Sequence, residues 1–160
     1  MADLGQVLVE LGDTGLKRSW GYVQEEFLLQ LQGQQAVKVY TEMSSNDAIV
    51  GAVLYAIEMM LRRVQWHEEG PHAAFIAECR DDMSHSWEDF MAEAMSMLPF
   101  GWAYHEICYK VRDDGMVGWK KLPIRGQDTL SRWEFDAEGG VKGMWQNAGG
   151  HEVFIPIEKA

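Results

Sequence analysis

The 160-residue chain has few of the residues that mark several common classes of protein. It contains only two cysteines, Cys79 and Cys108, and four prolines, and no run of about 18 apolar residues that would span a membrane. The N-terminal sequence MADLGQ carries no basic-then-apolar signal. Two free, structural thiols on a predicted helix and a predicted strand indicate a reducing compartment. We therefore expect a globular protein without a membrane partner.

Basic side chains are also scarce. Lysine and arginine number 14 against 25 acidic residues, which gives a formal net charge of −11. A protein that wraps a nucleic-acid backbone needs clustered lysine and arginine, so this balance argues against that role. It still permits a smooth acidic surface past which a polyanion slides without sticking. Seven tryptophans and ten methionines are abundant by contrast, and such side chains suit cores and protein–protein contacts.

Catalytic and metal-binding motifs are missing. No HExxH, CxxC, GxGxxG, phosphate-cradling GxxxxGK[ST] or GxSxG pattern occurs, and the five histidines do not take zinc spacing with the cysteines. We predict that the chain is not an enzyme and holds no cofactor or metal. Two alternatives stay open: a metal site assembled only in three dimensions, and a dispersed catalytic site around His105, Glu106 and Asp128. For Glu106 we favour a pairing with Arg125, Arg132 or a backbone amide.

One central stretch organises the predicted fold. Apolar residues recur at helical spacing over 87–98, and Ser86 stands where a capping hydroxyl belongs. Pro99 and Gly101 then end the helix. The pattern changes to a period of two over 102–109, with large side chains on both faces. This predicts a helix followed by a strand that lies centrally in a sheet.

Helices precede this stretch and hairpins follow it. Residues 37–43 are predicted as a connection, and Ser44 with Asp47 as the capping box of a long helix that should lie in the core. Gly51 inside that helix predicts a close approach by another element. The remaining predicted elements are helices 22–31, 44–64 and 72–82, and strands 118–122, 130–135, 141–146 and 151–157. The fold class is α+β, with N-terminal helices packed on an antiparallel, hairpin-rich sheet.

Three segments in this order carry a resemblance to a known family. They are WGYVQEEFLLQLQG…YTEMSSNDAIVGAVLYAIEMMLRRVQW, SWEDFMAEAMSMLPFGWAYHEICYK and GWKKLPIRGQDTLSRWEFDAEGGVKGMWQ. Their sequence resembles the N-terminal half of the portal proteins of tailed bacteriophages, over roughly residues 20–157. The matching positions are Met43, Asn46, Asp47, Gly51, Leu54, Ala56, Ile57, Val64, Trp66, Gly101, Glu106, Tyr109, Trp119, Leu122, Arg125, Leu130, Arg132, Trp133, Asp136, Gly139, Gly143 and Gln146.

The resemblance implies a structural virion protein. Portal subunits form a ring, usually a dodecamer, at one capsid vertex. The expected partners are other portal subunits, and, through the complete portal, the capsid protein, the terminase and the head–tail adaptor; DNA passes through the channel without sequence-specific binding. The matching part of the family is the wing domain, so we expect an N-terminal arm at residues 1–20 and a wing-like domain at 21–160. The stem and clip would then be missing, as in a fragment or a portal split between two polypeptides.

The resemblance also suggests roles for particular side chains. We interpret four charges as wing-sheet and intersubunit salt bridges, with solvated surface charge as the alternative: Glu106, Arg125, Arg132 and Asp136. Three tryptophans are expected to build the core between helices and sheet rather than a partner site: Trp102, Trp119 and Trp133. The alternative function is a stand-alone acidic α+β protein-interaction module, which captures a peptide or protein through an exposed aromatic and methionine patch.

Overall fold

The predicted α+β fold class is confirmed. A computed structural model of the protein describes residues 18–19, 22–23 and 26–160, so most of the predicted arm lies outside the described residues. The helices are α1 Gly33–Asn46, α2 Ala48–Arg62, α3 Ala73–Asp81, α4 Trp87–Ala94 and the single-turn α5 Met97–Phe100. The strands are β1 Arg18–Ser19, β2 Tyr22–Val23, β3 Cys108–Val111, β4 Val117–Lys121, β5 Leu130–Phe135, β6 Val141–Ala148 and β7 His151–Pro156. Short 3-10 turns occupy Leu29–Leu31, Gln127–Thr129 and Ile157–Lys159.

The N-terminal helices differ from the prediction in where they begin and end. The expected helix 22–31 is wrong, because β2 pairs with β1 and only a 3-10 turn follows. The expected connection 37–43 lies inside α1. Asp47 separates α1 from α2, since its backbone is extended and its carboxylate accepts the amides of Ile49 and Val50 at 2.8 and 3.0 Å. The capping residue is therefore Asp47, while Ser44 donates to a carbonyl within α1.

The prediction that α2 belongs to the core is wrong. None of its residues is buried. Leu54 and Ile57 are half-buried, whereas Ile49 and Met60 are 78% and 64% exposed. The apolar stripe is thus wider than the surface that α1 and α4 cover. The close approach predicted at Gly51 is confirmed, because a Cβ there would lie 3.2 Å from the carbonyl oxygen of Ser44 in α1.

The central helix and strand are both shorter than predicted. Ser86 caps α4 by accepting the amide of Asp89 at 3.1 Å, as expected, but α4 ends at Ala94. Pro99 does not stop the helix; it lies in the first turn of α5, where its missing N–H leaves no bond unmade. Gly101, at φ 79°, then ends α5.

The segment 102–107 is extended but is not a central strand. It forms one isolated bridge, between His105 and Ile124, before β3 pairs with β4. The amide of Glu106 donates to the carbonyl of Pro123 at 3.1 Å, and Pro123 has no N–H to return, so a ladder cannot continue there. The alternation of faces nevertheless holds in part: Tyr104 is buried towards the C-terminal sheet, and the His105 ring packs on Phe90 of α4 at 4.7 Å.

The sheets are two antiparallel units beside the short β1–β2 pair. One side of the β3–β4 ribbon packs against α3. A Cβ on Gly118 would lie 3.2 Å from the sulfur of Cys79 in that helix. Strands β5, β6 and β7 form a meander, as predicted, and Gly149 and Gly150 supply the two positive-φ residues of its tight turn. The core joins Tyr104, Met144 and Ile155, with Trp102, Leu130 and Trp133 packed around them. Among the described residues no helix is long and apolar enough to cross a membrane.

Candidate functional site: the junction of helices and sheets

The extended segment 102–107, which we call the connector, joins the helices to both sheets. Its Tyr104 carbonyl accepts the amide of Arg125 at 2.7 Å, in the loop after β4. The Tyr104 hydroxyl donates to the carbonyl of Ile155 in β7 at 3.0 Å. The amide of Ile107 donates to the carbonyl of Lys159 at 2.5 Å. The connector is therefore fixed on one side by the β4 loop and on the other by the C-terminal strand and turn.

The connector, the loop after β4 and the C-terminal turn meet in what we call the junction, and Glu106 is the charged residue at its centre. Its carboxylate accepts both Nε, at 3.1 Å, and Nη2 of Arg125, and its second oxygen lies 3.4 Å from Nζ of Lys159. The Glu106 and Arg125 side chains are only 20% and 22% exposed. Hydrogen bonding from Arg125, with a smaller contribution from Lys159, lowers the pKa of Glu106 below its usual value. The structure thus places two of the predicted charges against each other.

Gln127 is a part of the junction that sequence reasoning missed. It is 6% exposed, and its amide nitrogen donates to the hydroxyl of Ser96 at 2.8 Å and to the carbonyl of Trp102 at 3.0 Å. These bonds join the α4–α5 link, the connector and the loop before β5. The sequence RGQDT indicates only a turn, because an exposed and a buried glutamine look alike in a sequence.

Two of the three predicted tryptophans meet in the core. Trp102 and Trp133 pack edge to face with ring centroids 5.0 Å apart, and Tyr104 lies 5.8 Å from Trp133. Burial raises the pKa of the Tyr104 phenol, with smaller contributions from nearby carboxylates. Trp119 is half-buried in β4, opposite Tyr109, and belongs to the other sheet. It is not a member of this cluster.

Arg132 forms a second charged group at the outside of the meander. Its Nη1 lies 2.9 and 2.8 Å from the two carboxylate oxygens of Glu152, and its guanidinium lies 4.4 Å from the ring centroid of Trp145. The hydroxyl of Ser131 donates to the same carboxylate. Hydrogen bonds from Ser131 and then Arg132 lower the pKa of Glu152. This pair is more exposed than the Glu106–Arg125 pair.

Asp136 acts within a turn. Its carboxylate accepts the amide of Gly140 at 2.5 Å, and its own amide donates to the carbonyl of Gly140 at 2.9 Å. Among the described residues of this one chain it makes no ion pair, and the intersubunit salt bridge expected for it stays a prediction. Within the chain its carboxylate is engaged by the turn, because an aspartate at the start of a hairpin turn can accept hydrogen bonds from the turn amides.

The three residues of the alternative catalytic site, His105, Glu106 and Asp128, each contact different partners. His105 donates from Nδ1 to the carbonyl of Leu122 at 2.8 Å, while Glu106 is engaged by Arg125. Asp128 is exposed and lines a groove beside α1. No group of three or more His, Cys, Asp or Glu side chains in the described part of the chain is arranged to hold a metal ion.

These contacts define a structural module, in which ion pairs connect separate segments of the chain and aromatic rings fill the core. Residues 37–158 match the family described as the portal protein of Mu bacteriophage. The chain belongs to this family of phage portal proteins, which confirms the resemblance found in the sequence. Its members are structural components of the virion involved in DNA packaging. A search among curated proteins found no match.

Proposed function

We propose that this chain is a subunit of the portal ring at the unique capsid vertex, through which the genome is packaged and ejected. The ring is a dodecamer, and the chain supplies its wing portion at the outer radius through residues 21–160, with residues 1–20 as an arm. The capsid protein, the terminase and the head–tail adaptor contact the complete portal. DNA passes through the channel without sequence-specific binding.

The observation that carries this proposal is the extent of the family match. It begins within α1 and continues beyond β7, so it includes the helical region, the connector and both sheets that follow it. The charge supports the same role. A subunit with a net charge of −11 has little affinity for a phosphate backbone, which suits a part of the ring that contacts protein more than DNA.

The experiment that tests the proposal is cryo-electron microscopy of particles that contain this chain, analysed first for symmetry. We expect a cyclic ring around a central pore at one vertex, with α1–α5 and the β5–β7 meander fitted at its outer radius. The same map would show whether a second polypeptide supplies the stem. Native mass spectrometry of the purified ring gives the number of subunits independently.

A monodisperse monomer, in particles as well as in isolation, would contradict the proposal. The interaction-module alternative would then be favoured, because several large apolar side chains of α2 are exposed. A pull-down with the exposed α2 residues replaced by charged ones would separate the two functions, since only the interaction module would lose a non-portal partner.

A further inference from the structure

Helix α2 presents an apolar face that nothing in the described chain covers. Ile49, Val53, Ala56 and Met60 follow one another at helical spacing and form what we call the outer helix face. Ile49, Val53 and Met60 are 78%, 55% and 64% exposed. No charged residue occurs between Ala48 and Ile57. This face is long, apolar and free of carboxylates.

The β3–β4 ribbon presents a second such face. Tyr109 is paired with Trp119 and Val111 with Val117, so these four side chains point to the same side, which we call the outer ribbon face. Val111 and Val117 are 72% and 57% exposed, and Tyr109 is 50% exposed. Helix α3 covers the opposite side of the ribbon. Cys79 packs against Gly118 there, and Lys110 forms a salt bridge with Asp82, which follows α3.

The charges at the ends of the two faces are complementary. Asp47 begins α2, and the exposed Arg63 follows its last residue. On the ribbon, Lys121 continues the apolar face at one end, and Asp113 lies in the hairpin turn at the other. Arg63, Asp113 and Lys121 make no ion pair among the described residues. An antiparallel alignment of α2 with β4 brings each terminal charge of the helix against its opposite on the ribbon.

A second copy of this chain is the occupant that these features favour. Two copies with a net charge of −11 repel each other wherever unpaired acidic surfaces meet, so close contact is favoured between apolar faces whose terminal carboxylates each meet a cation. A helix face and a ribbon face are different surfaces, and a contact between different surfaces of identical subunits is heterologous, which is the kind of contact that builds a ring when the rotation between neighbours closes.

We infer that the outer helix face of one subunit packs on the outer ribbon face of the next, with Arg63 beside the neighbour's Asp113 and Asp47 beside its Lys121. The inference rests on the proposed ring and names the contact that repeats around it. The helix covers the ribbon as a helix covers a sheet within one domain.

Cross-linking tests the contact directly. In a Cys108→Ser background, where the remaining Cys79 is 2% exposed, chains with Val53→Cys and chains with Val117→Cys are mixed and treated with a short bismaleimide. We expect covalent dimers in the mixture and none with either variant alone. A chain with both substitutions should give a ladder that ends at the subunit number of the ring. Cross-links confined to single chains would overturn the inference, because the two faces would then meet within one copy.

Charge substitutions test how the two faces are oriented and how strongly their contact supports self-association. Val53→Glu should weaken self-association by at least about tenfold in native mass spectrometry and sedimentation. The matched control is Val141→Glu, at a valine that is 40% exposed and outside both faces. Arg63→Asp should also weaken the ring, and adding Asp113→Arg to it should restore assembly. Circular dichroism confirms that each variant is folded.

The outcomes separate this contact from the proposed function. The inference is overturned if Val53→Glu forms rings normally, or if rings form while the mixed cysteine variants do not cross-link. Neither result contradicts the proposed ring. A wild-type chain that forms no ring overturns both. Failure of the Arg63–Asp113 exchange to restore assembly, while the cross-links form, overturns the antiparallel orientation.

Discussion

Removing the charge of Glu106 should destabilise the fold, and the loss should depend on pH. Glu106→Gln keeps the shape of the side chain but replaces a carboxylate that Arg125 and Lys159 bind. Hydrogen bonds to charged groups contribute roughly 1.5–3 kcal/mol, and Arg125 would keep its charge in a position only 22% exposed. We expect Glu106→Gln to lower the free energy of unfolding by about 2 kcal/mol at pH 7.

The pH dependence follows from the direction of the pKa shift. The folded state holds the pKa of Glu106 below its usual value, so the unfolded state binds the proton more tightly. The stabilisation from Glu106 is therefore complete above the unfolded pKa of about 4.5 and is lost as the pH falls through the folded pKa. The difference between wild type and Glu106→Gln should be constant around neutrality and shrink in acid.

Urea unfolding followed by tryptophan fluorescence, at several pH values from neutral to acidic, measures this difference. The matched control is Glu152→Gln, which removes a carboxylate from the more exposed pair with Arg132; its side chain is 44% exposed. We expect a smaller loss there, because water screens the pair. Parallel pH curves for wild type and Glu106→Gln would refute the electrostatic reasoning. An equal loss in both variants would refute the argument from burial.

Substitutions at four further positions test buried hydrogen bonds, core packing and helix capping, each by urea unfolding. Gln127→Ala removes two buried hydrogen bonds and should cost about 2–4 kcal/mol, whereas Ser96→Ala removes one and should cost about 1; equal losses would contradict the bridging role. Met144→Ala, at a side chain that is 0% exposed, should cost about 2–5 kcal/mol, and a loss below 1 would show that the site collapses freely. Asp47→Ala should cost about 1 kcal/mol through the lost cap, and Asp47→Ser should recover most of it.

The C-terminal hairpins could be predicted from the sequence because their signals are local. Alternating side chains mark β5 and β6, and the pair Gly149–Gly150 supplies the positive φ angles that a two-residue turn requires. A strand pattern between such turns needs no information from distant residues. The order β5–β6–β7 followed from the same local signals.

The connector could not be predicted in the same way, because its structure depends on what lies opposite. Its alternation is that of a strand, but Pro123 interrupts the ladder from the neighbouring segment. The burial of Gln127 likewise depends on Ser96, which is 31 residues away in the chain. The sequence permits a pairing of Glu106 with Arg125, Arg132 or a backbone amide, and only the fold selects Arg125.

Helix α2 shows why an apolar stripe predicts burial without naming the surface that buries it. The stripe predicts a helix in the core of the chain, yet its residues are at most half-buried, and Ile49 and Met60 face away from α1 and α4. The hydrophobic effect acts equally on surface covered by the same chain and on surface covered by another. In a subunit of a ring, a stripe wider than its intrachain contacts can serve both purposes. One side of α2 stabilises the fold, and in the ring that we propose the other side contacts the next subunit.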